Sequence, residues 1–215
     1  MLSEKEKKII NQRTRKMLKS KKEFKAMIDT SLSPEAASKV WKDAHKRLAR
    51  MYAEHMGLPK GVRTHTDQYI FPAAAMYLAY KEVKPEQAFN AMKQVMADKS
   101  KKTGAFFAKC AKIPGFKSFF LSMWDYGSHK MFGEASGFKN VFYPKQKGIF
   151  KMDIIECPYH KYLLEQGCPE LNGLFCDNDV YNYGSIPGMT FTRTQTIGYD
   201  GKLCDFKMEL TRRKR

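Results

Sequence analysis

The apolar residues of this chain change their period near residue 140, and that change limits the fold more than any other feature. Before it, apolar positions recur with helical spacing. The cleanest case is Phe116, Phe119, Phe120, Met123 and Trp124, at i, i+3, i+4, i+7 and i+8. After it, Ile149-Phe150-Lys151-Met152-Asp153-Ile154-Ile155 reads as a strand. Met189 to Thr196 alternates as a half-exposed strand. Asp200-Gly201 supplies a hairpin turn, and Leu203 to Met208 is the returning partner. The break, 133–148, is rich in glycine and lysine and holds Tyr143. The pattern predicts an α+β protein. A helical region, 1–140, packs on a small region, 141–215, that holds an antiparallel sheet and two short helices.

Local signals divide the helical region. Residues 4–28 form one charged helix. Ser33-Pro34-Glu35 is a helix start, with an N-cap and an N1 proline. That helix runs to about Met56, where Gly57 and Pro59 stop it. Another spans Thr66 to Tyr80 with Pro72 inside it, and Pro85 begins one that ends near Lys99. Ser100 to Thr103 reads as a basic turn, and 211–215 as a frayed basic tail.

With 215 residues and 43% hydrophobic content, the chain can bury a real core. No apolar run approaches the roughly 18 residues that span a bilayer, and the charged N-terminus lacks a signal core. The expectation is a cytoplasmic protein with reduced thiols. Net charge is +17. Residues 1–60 hold 16 Lys and Arg against 7 Asp and Glu. No zinc-finger or RNA-binding motif accompanies that charge, so it reads as a solvated surface, and sequence-specific nucleic-acid binding is not expected. A basic interaction module acting through 1–60 is the weaker alternative. Oligomeric state has no sequence signal.

Four of five cysteines fall after the break: Cys157, Cys168, Cys176 and Cys204. Cys157 and Cys168 each precede a proline and helix-forming sequence, so each occupies an N-cap position. Unpaired N–H groups and the helix dipole favour thiolate there. Cys157 is then expected to ionise below the ordinary value of about 8.5, the more so with His160 one turn away. Glu170 opposes the same effect at Cys168. Three readings stay open. A cysteine is a nucleophile, with Asp177 or Asp179 moving protons. Or the four cysteines converge on zinc or an iron–sulfur cluster, although no Cys-x-x-Cys pair exists. Or they are small buried hydrophobes. Arg193 either clamps a carboxylate or pairs with Asp205 across the hairpin. The stripe containing Trp124 is core, or the wall of a pocket.

The run Asp153-Ile154-Ile155-Glu156-Cys157-Pro158-Tyr159-His160, then Gly167-Cys168-Pro169-Glu170-Leu171, then Phe175-Cys176-Asp177-Asn178-Asp179, resembles the L-2-amino-thiazoline-4-carboxylic acid hydrolase family. Phe191-Thr192-Arg193-Thr194-Gln195-Thr196 and Gly201-Lys202-Leu203-Cys204-Asp205-Phe206 fit it too. The likeness is close over about the last 70 residues and general in the helical part. A distant similarity to four-vinyl-reductase-like ligand-binding domains keeps the metal reading open. The resemblance implies hydrolysis of a cyclic amidine: water or a thiolate attacks C2 of the thiazoline ring, which opens toward a carbamoyl-cysteine. By chemistry, Cys157, His160, Cys176, Asp177 and Asp179 are the catalytic candidates. Arg193, Thr194, Asp205 and Trp124 are the candidates for holding a carboxylate-bearing substrate. Hydrolysis requires no cofactor. The alternative is a non-enzymatic domain that binds a small ligand, zinc or an iron–sulfur cluster through Cys157, Cys168, Cys176 and Cys204.

Overall fold

A computed structural model describes residues 2–211; the expected tail at 212–215 lies outside the described residues. Two compact units are present. The first comprises residues 1–95 and 162–171, the second 96–161 and 172–215. The α+β expectation holds, with helices followed by a four-stranded antiparallel sheet.

In the first unit, the expected single N-terminal helix is two, α1 (Glu4–Ser20) and α2 (Lys22–Ser31), broken at Lys21. Ser3 and Glu6 close a capping box on α1. Helix α3 (Pro34–Glu54) starts as the sequence indicates: Ala36 N–H donates to Ser33 Oγ. It buries Val40, Ala44, Leu48, Met51 and Tyr52 and packs on α5 (Phe71–Lys81). Between α4 (Lys60–His65) and α5, Thr66–Ile70 widens into one π turn. Pro72 follows this π turn inside a helical run that is continuous from α4, and the carbonyls of Asp67 and Gln68 in the preceding turn accept from Tyr52 Oη and Lys21 Nζ, each at 2.7 Å. The π turn presents Asp67 to Arg13 and Arg63.

Helix α6 runs unbroken from Pro85 to Cys110, so the turn expected at Ser100–Thr103 is absent. Its reason lies in the second unit. Ser100 Oγ donates to Asn178 Oδ1 at 2.8 Å. A Cβ on Gly104 would stand 2.2 Å from the Tyr181 carbonyl oxygen, so only glycine lets the two backbones meet.

Helix α7 (Phe116–Met131) follows the predicted stripe in part: Phe120 is buried, while Phe119 and Met123 are exposed. The loose segment hides a strand that its composition conceals, β1 (Lys139–Phe142). It pairs with β2 (Ile149–Glu156), β2 with β4 (Cys204–Leu210), and β4 with β3 (Met189–Thr192). Register sets the inward face. Phe150 opposes Met208, Met152 opposes Phe206, and Ile154 opposes Cys204, and all six are buried. Trp124 stacks on Phe206 at 5.7 Å between centroids. Emptying an aromatic position in such a core costs about 3–5 kcal/mol. Cys204 therefore reaches the interior because it shares parity with Phe206 and Met208.

Candidate functional site

The connection from β3 to β4 builds the site. The sequence suggests one strand to Thr196 and a tight Asp-Gly hairpin. Instead β3 ends at Thr192, and the chain leaves the sheet for eleven residues, 193–203, which include one 3-10 turn, Ile197–Tyr199. Asp205 holds it there. Its carboxylate accepts from Thr194 N–H at 2.9 Å, Thr194 Oγ1 at 2.7 Å and Gln195 N–H at 2.8 Å. Partial burial works to raise the Asp205 carboxyl, but these donors outweigh it and hold the group below the ordinary carboxylate range. Thr194 and Asp205, expected at the substrate, are the fastening of the loop.

That fastening turns Arg193 and Thr196 toward α9 (Leu171–Tyr183). Arg193 Nη1 donates to the Cys176 carbonyl at 2.7 Å and reaches Asp179 Oδ2 at 3.3 Å. The partner of Arg193 is thus Asp179, not Asp205. Its side chain is 8% exposed. Nε and Nη2 have no hydrogen-bond partner among the described residues and are not sealed from solvent. Two donors of the fork remain available.

Asp179 is partly buried, with 37% of its side-chain surface open. Burial pushes its pKa up to about 7; Arg193 opposes the rise, and the negative form of Cys204 adds to it. Tyr183, whose hydroxyl burial raises well above its ordinary value, adjoins Asp179. It meets Trp124 edge-on at 4.8 Å. Trp124 Nε1 is buried without a partner among the described residues. Asp177, the other proton-transfer candidate, is engaged by Tyr199, whose hydroxyl donates at 2.8 Å near the surface.

Thr196 joins two thiols. Its Oγ1 lies 2.9 Å from Cys176 Sγ and 3.1 Å from Cys204 Sγ. The sulfurs are therefore no more than about 6 Å apart, the sum of those distances. Ile197 N–H donates to Cys204 Sγ at 3.3 Å. The neighbouring Cys176 thiol lowers the Cys204 thiol most, and Thr196, Ile197 and the Arg193 charge add to it against burial, bringing it to about 6. The proximity of Cys204, with burial, raises Cys176. The two thiols titrate as a pair, and the directions make Cys204 the first of them to ionise. Gly198 leaves the space this needs, since a Cβ there would lie 2.7 Å from Cys176 Sγ. Gly198→Ala is expected to move Cys176 and raise the Cys204 pKa by about one unit or more, which thiol titration by ultraviolet absorbance measures.

The Cys-Pro cysteines behave otherwise than expected. Cys157 does precede α8 (Pro158–Glu165), and the backbone N–H groups of His160 and Tyr159 reach its sulfur. Burial outweighs them and pushes the thiol up to about 12, so the expected low value is overturned. The His160 ring meets Asn172 at 3.2 Å instead. Cys168 belongs to the first unit. Pro169 and Glu170 form a turn before α9, which begins only at Leu171, so the N-cap reading fails there. Burial raises Cys168 to about 12, and Glu170 adds to the rise. Glu170 is itself taken by Tyr77 Oη at 2.6 Å and Lys81 Nζ at 2.9 Å. Among the described residues, no three His, Cys, Asp or Glu are arranged to hold a metal ion. A hollow of about 470 Å³ beside α7 and Lys145–Ile149 contains none of the candidate residues. No helix is long and apolar enough to cross a membrane.

No curated protein and no solved structure matches this chain. The family model for L-2-amino-thiazoline-4-carboxylic acid hydrolase matches residues 63–208, which include every element of the site just described. On that match, over two thirds of its length, the chain belongs to the L-2-amino-thiazoline-4-carboxylic acid hydrolase family.

Proposed function

We propose that this protein opens the ring of a 2-amino-thiazoline-4-carboxylate or a close cyclic amidine, using Cys204, Asp179 and Arg193. The observation that carries the reading is the Arg193–Thr196 loop. It sets Arg193 against Asp179 and Thr196 against the sulfurs of Cys176 and Cys204, where burial raises the carboxyl pKa and neighbouring donors lower that of the Cys204 thiol.

Each group meets one chemical need. C2 is bonded to two nitrogens and a sulfur and is electrophilic once the ring nitrogen is protonated. Protonated Asp179 supplies that proton. The Cys204 thiolate attacks C2, and the C2–N bond breaks as the ring nitrogen leaves as an amine. Water then adds to the same carbon and expels the thiolate, leaving a carbamoyl group on the substrate sulfur. Cys176 and Thr196 stabilise the thiolate at the start and after its release. The open side of Arg193 pairs with the carboxylate of the substrate. Trp124 and Tyr183 give the ring an apolar wall. The catalytic weight moves from Cys157 and His160, which support α8, to Cys204. Asp177 fixes Tyr199. A site that needs a free thiolate fits a reducing compartment such as the cytoplasm.

The test is direct: purified protein with L-2-amino-thiazoline-4-carboxylate should consume the thiazoline and release a ring-opened carbamoyl-cysteine. Purified, folded protein that leaves the compound untouched would refute the reading. The pH profile is specific. The thiolate form grows as pH rises through about 6. The protonated form of Asp179 is lost as pH rises through about 7. Activity should peak between those values and fall on both sides. Asp179→Asn should flatten the alkaline limb and lower kcat by about 10²- to 10⁴-fold. The same shift bears on stability. Asp179 binds its proton more tightly folded than unfolded, so its contribution to stability is greatest at low pH and declines as pH rises toward about 7.

A further inference from the structure

Cys204 and Cys176 have a relation that ring opening does not require. We propose that the two form a peroxide-reactive dithiol, with Cys204 as the sulfur that is oxidised and Cys176 as the one that resolves it into a disulfide. The inference rests on the same site as the hydrolase reading but on different chemistry. Its geometry is the shared hydroxyl of Thr196, 2.9 Å from one sulfur and 3.1 Å from the other, on a loop that Asp205 fixes.

Three further features support it. Ile197 N–H and Thr196 Oγ1 adjoin Cys204 Sγ, and the Arg193 charge favours its thiolate, the form that reacts with peroxide. Cys176 keeps its proton, as a resolving thiol does before condensation. Cys176 is half-buried and Cys204 buried, which suits an oxidant as small as hydrogen peroxide and excludes bulky ones. The other cysteines lack this set: Cys157 and Cys168 are held as thiols by burial.

The steps balance with a peroxide as the oxidant. The Cys204 thiolate attacks one peroxide oxygen, the O–O bond breaks, and hydroxide leaves with the electron pair. Cys204 becomes a sulfenic acid. The Cys176 thiol then attacks that sulfur, the S–O bond breaks, and water leaves. Two electrons pass from the pair to peroxide, and a dithiol reductant restores both thiols. Because the oxidised pair has no thiolate, ring opening stops until reduction.

The experiment uses the full-length protein, one to five equivalents of hydrogen peroxide, and peptide mapping by mass spectrometry without reductant. The expected product is a Cys176–Cys204 disulfide, reversed by dithiothreitol. In Cys176→Ser the expected product is instead a dimedone-trapped sulfenic acid on Cys204. Oxidation of Cys204 directly to sulfinic acid in the unaltered protein overturns the proposal. So does a disulfide that pairs either residue with Cys110, Cys157 or Cys168, or no reaction of Cys204 ahead of Cys110. Mass, not turnover, is the readout, so a failure of the hydrolase reading leaves this result intact.

Discussion

Cys204→Ser is expected to lower kcat for ring opening by about 10⁴-fold or more, the usual cost of removing a nucleophile. Serine keeps the shape and the position on β4, so the fold persists and circular dichroism should not change. What is lost is the readily ionised sulfur that Thr196 Oγ1 and the Ile197 N–H meet and that the Cys176 thiol adjoins. A hydroxyl with its far higher pKa is not ionised by such neighbours. Cys157→Ser serves as the contrast. That thiol is held neutral by burial, so the variant should keep activity within about tenfold, whatever it costs in stability. A large loss at Cys157 with a small one at Cys204 would reverse the assignment. Steady-state kinetics of both variants decides it.

Arg193→Gln should cost about 1.5–3 kcal/mol of transition-state binding, roughly 10- to 150-fold in kcat/KM, for a substrate that carries the carboxylate. For 2-aminothiazoline, which lacks it, the loss should be slight. The contrast separates substrate recognition from general damage, because misfolding lowers both alike. The effect on folding should be smaller than the 3–5 kcal/mol expected when one partner of a buried pair is removed. Asp179 titrates near neutrality and can take up a proton when its cation is gone, and it is more than one third exposed. Equal losses on both compounds would remove Arg193 from substrate binding.

Much of this could be read from the residues. The change of period near residue 140 coincides with the first strand at Lys139. The Ser33 cap and the apolar run of β2 were plain in the sequence because each depends on near neighbours. What escaped reading depends on tertiary contact. Gly104 looks like a helix breaker, yet it sits inside α6 because another backbone crosses there. Asp200-Gly201 looks like a tight hairpin, but Asp205, three residues into the next segment, pulls Thr194 and Gln195 off the strand. Thr194, a candidate for holding substrate, donates to Asp205 and fastens that loop.

The cysteines carry the same lesson. Position before proline pointed to Cys157 and Cys168, and helix N–H groups do reach Cys157, but desolvation exceeds their effect. Cys204 has no helix behind it. Its thiolate depends on a threonine eight residues upstream and a cysteine on α9. The available signal was strand parity: Cys204 alternates with Phe206 and Met208, so it had to face the interior, beside whatever the loop delivered. The residues leave Arg193 open between a carboxylate clamp and a pair with Asp205, and they weight Asp179 equally with Asp177. The structure distinguishes them: Tyr199 occupies Asp177, and Arg193 reaches Asp179.

One measurement bears most directly on the site. L-2-amino-thiazoline-4-carboxylate labelled with carbon-13 at C2 is mixed with excess protein, quenched in acid within a single turnover, and the peptides are mapped by mass spectrometry. The account predicts labelled carbon on the peptide that contains Cys204, present early, gone at completion, and absent in Cys204→Ser. Turnover that proceeds with no label on Cys204 at any time, and at an undiminished rate in Cys204→Ser, would contradict it.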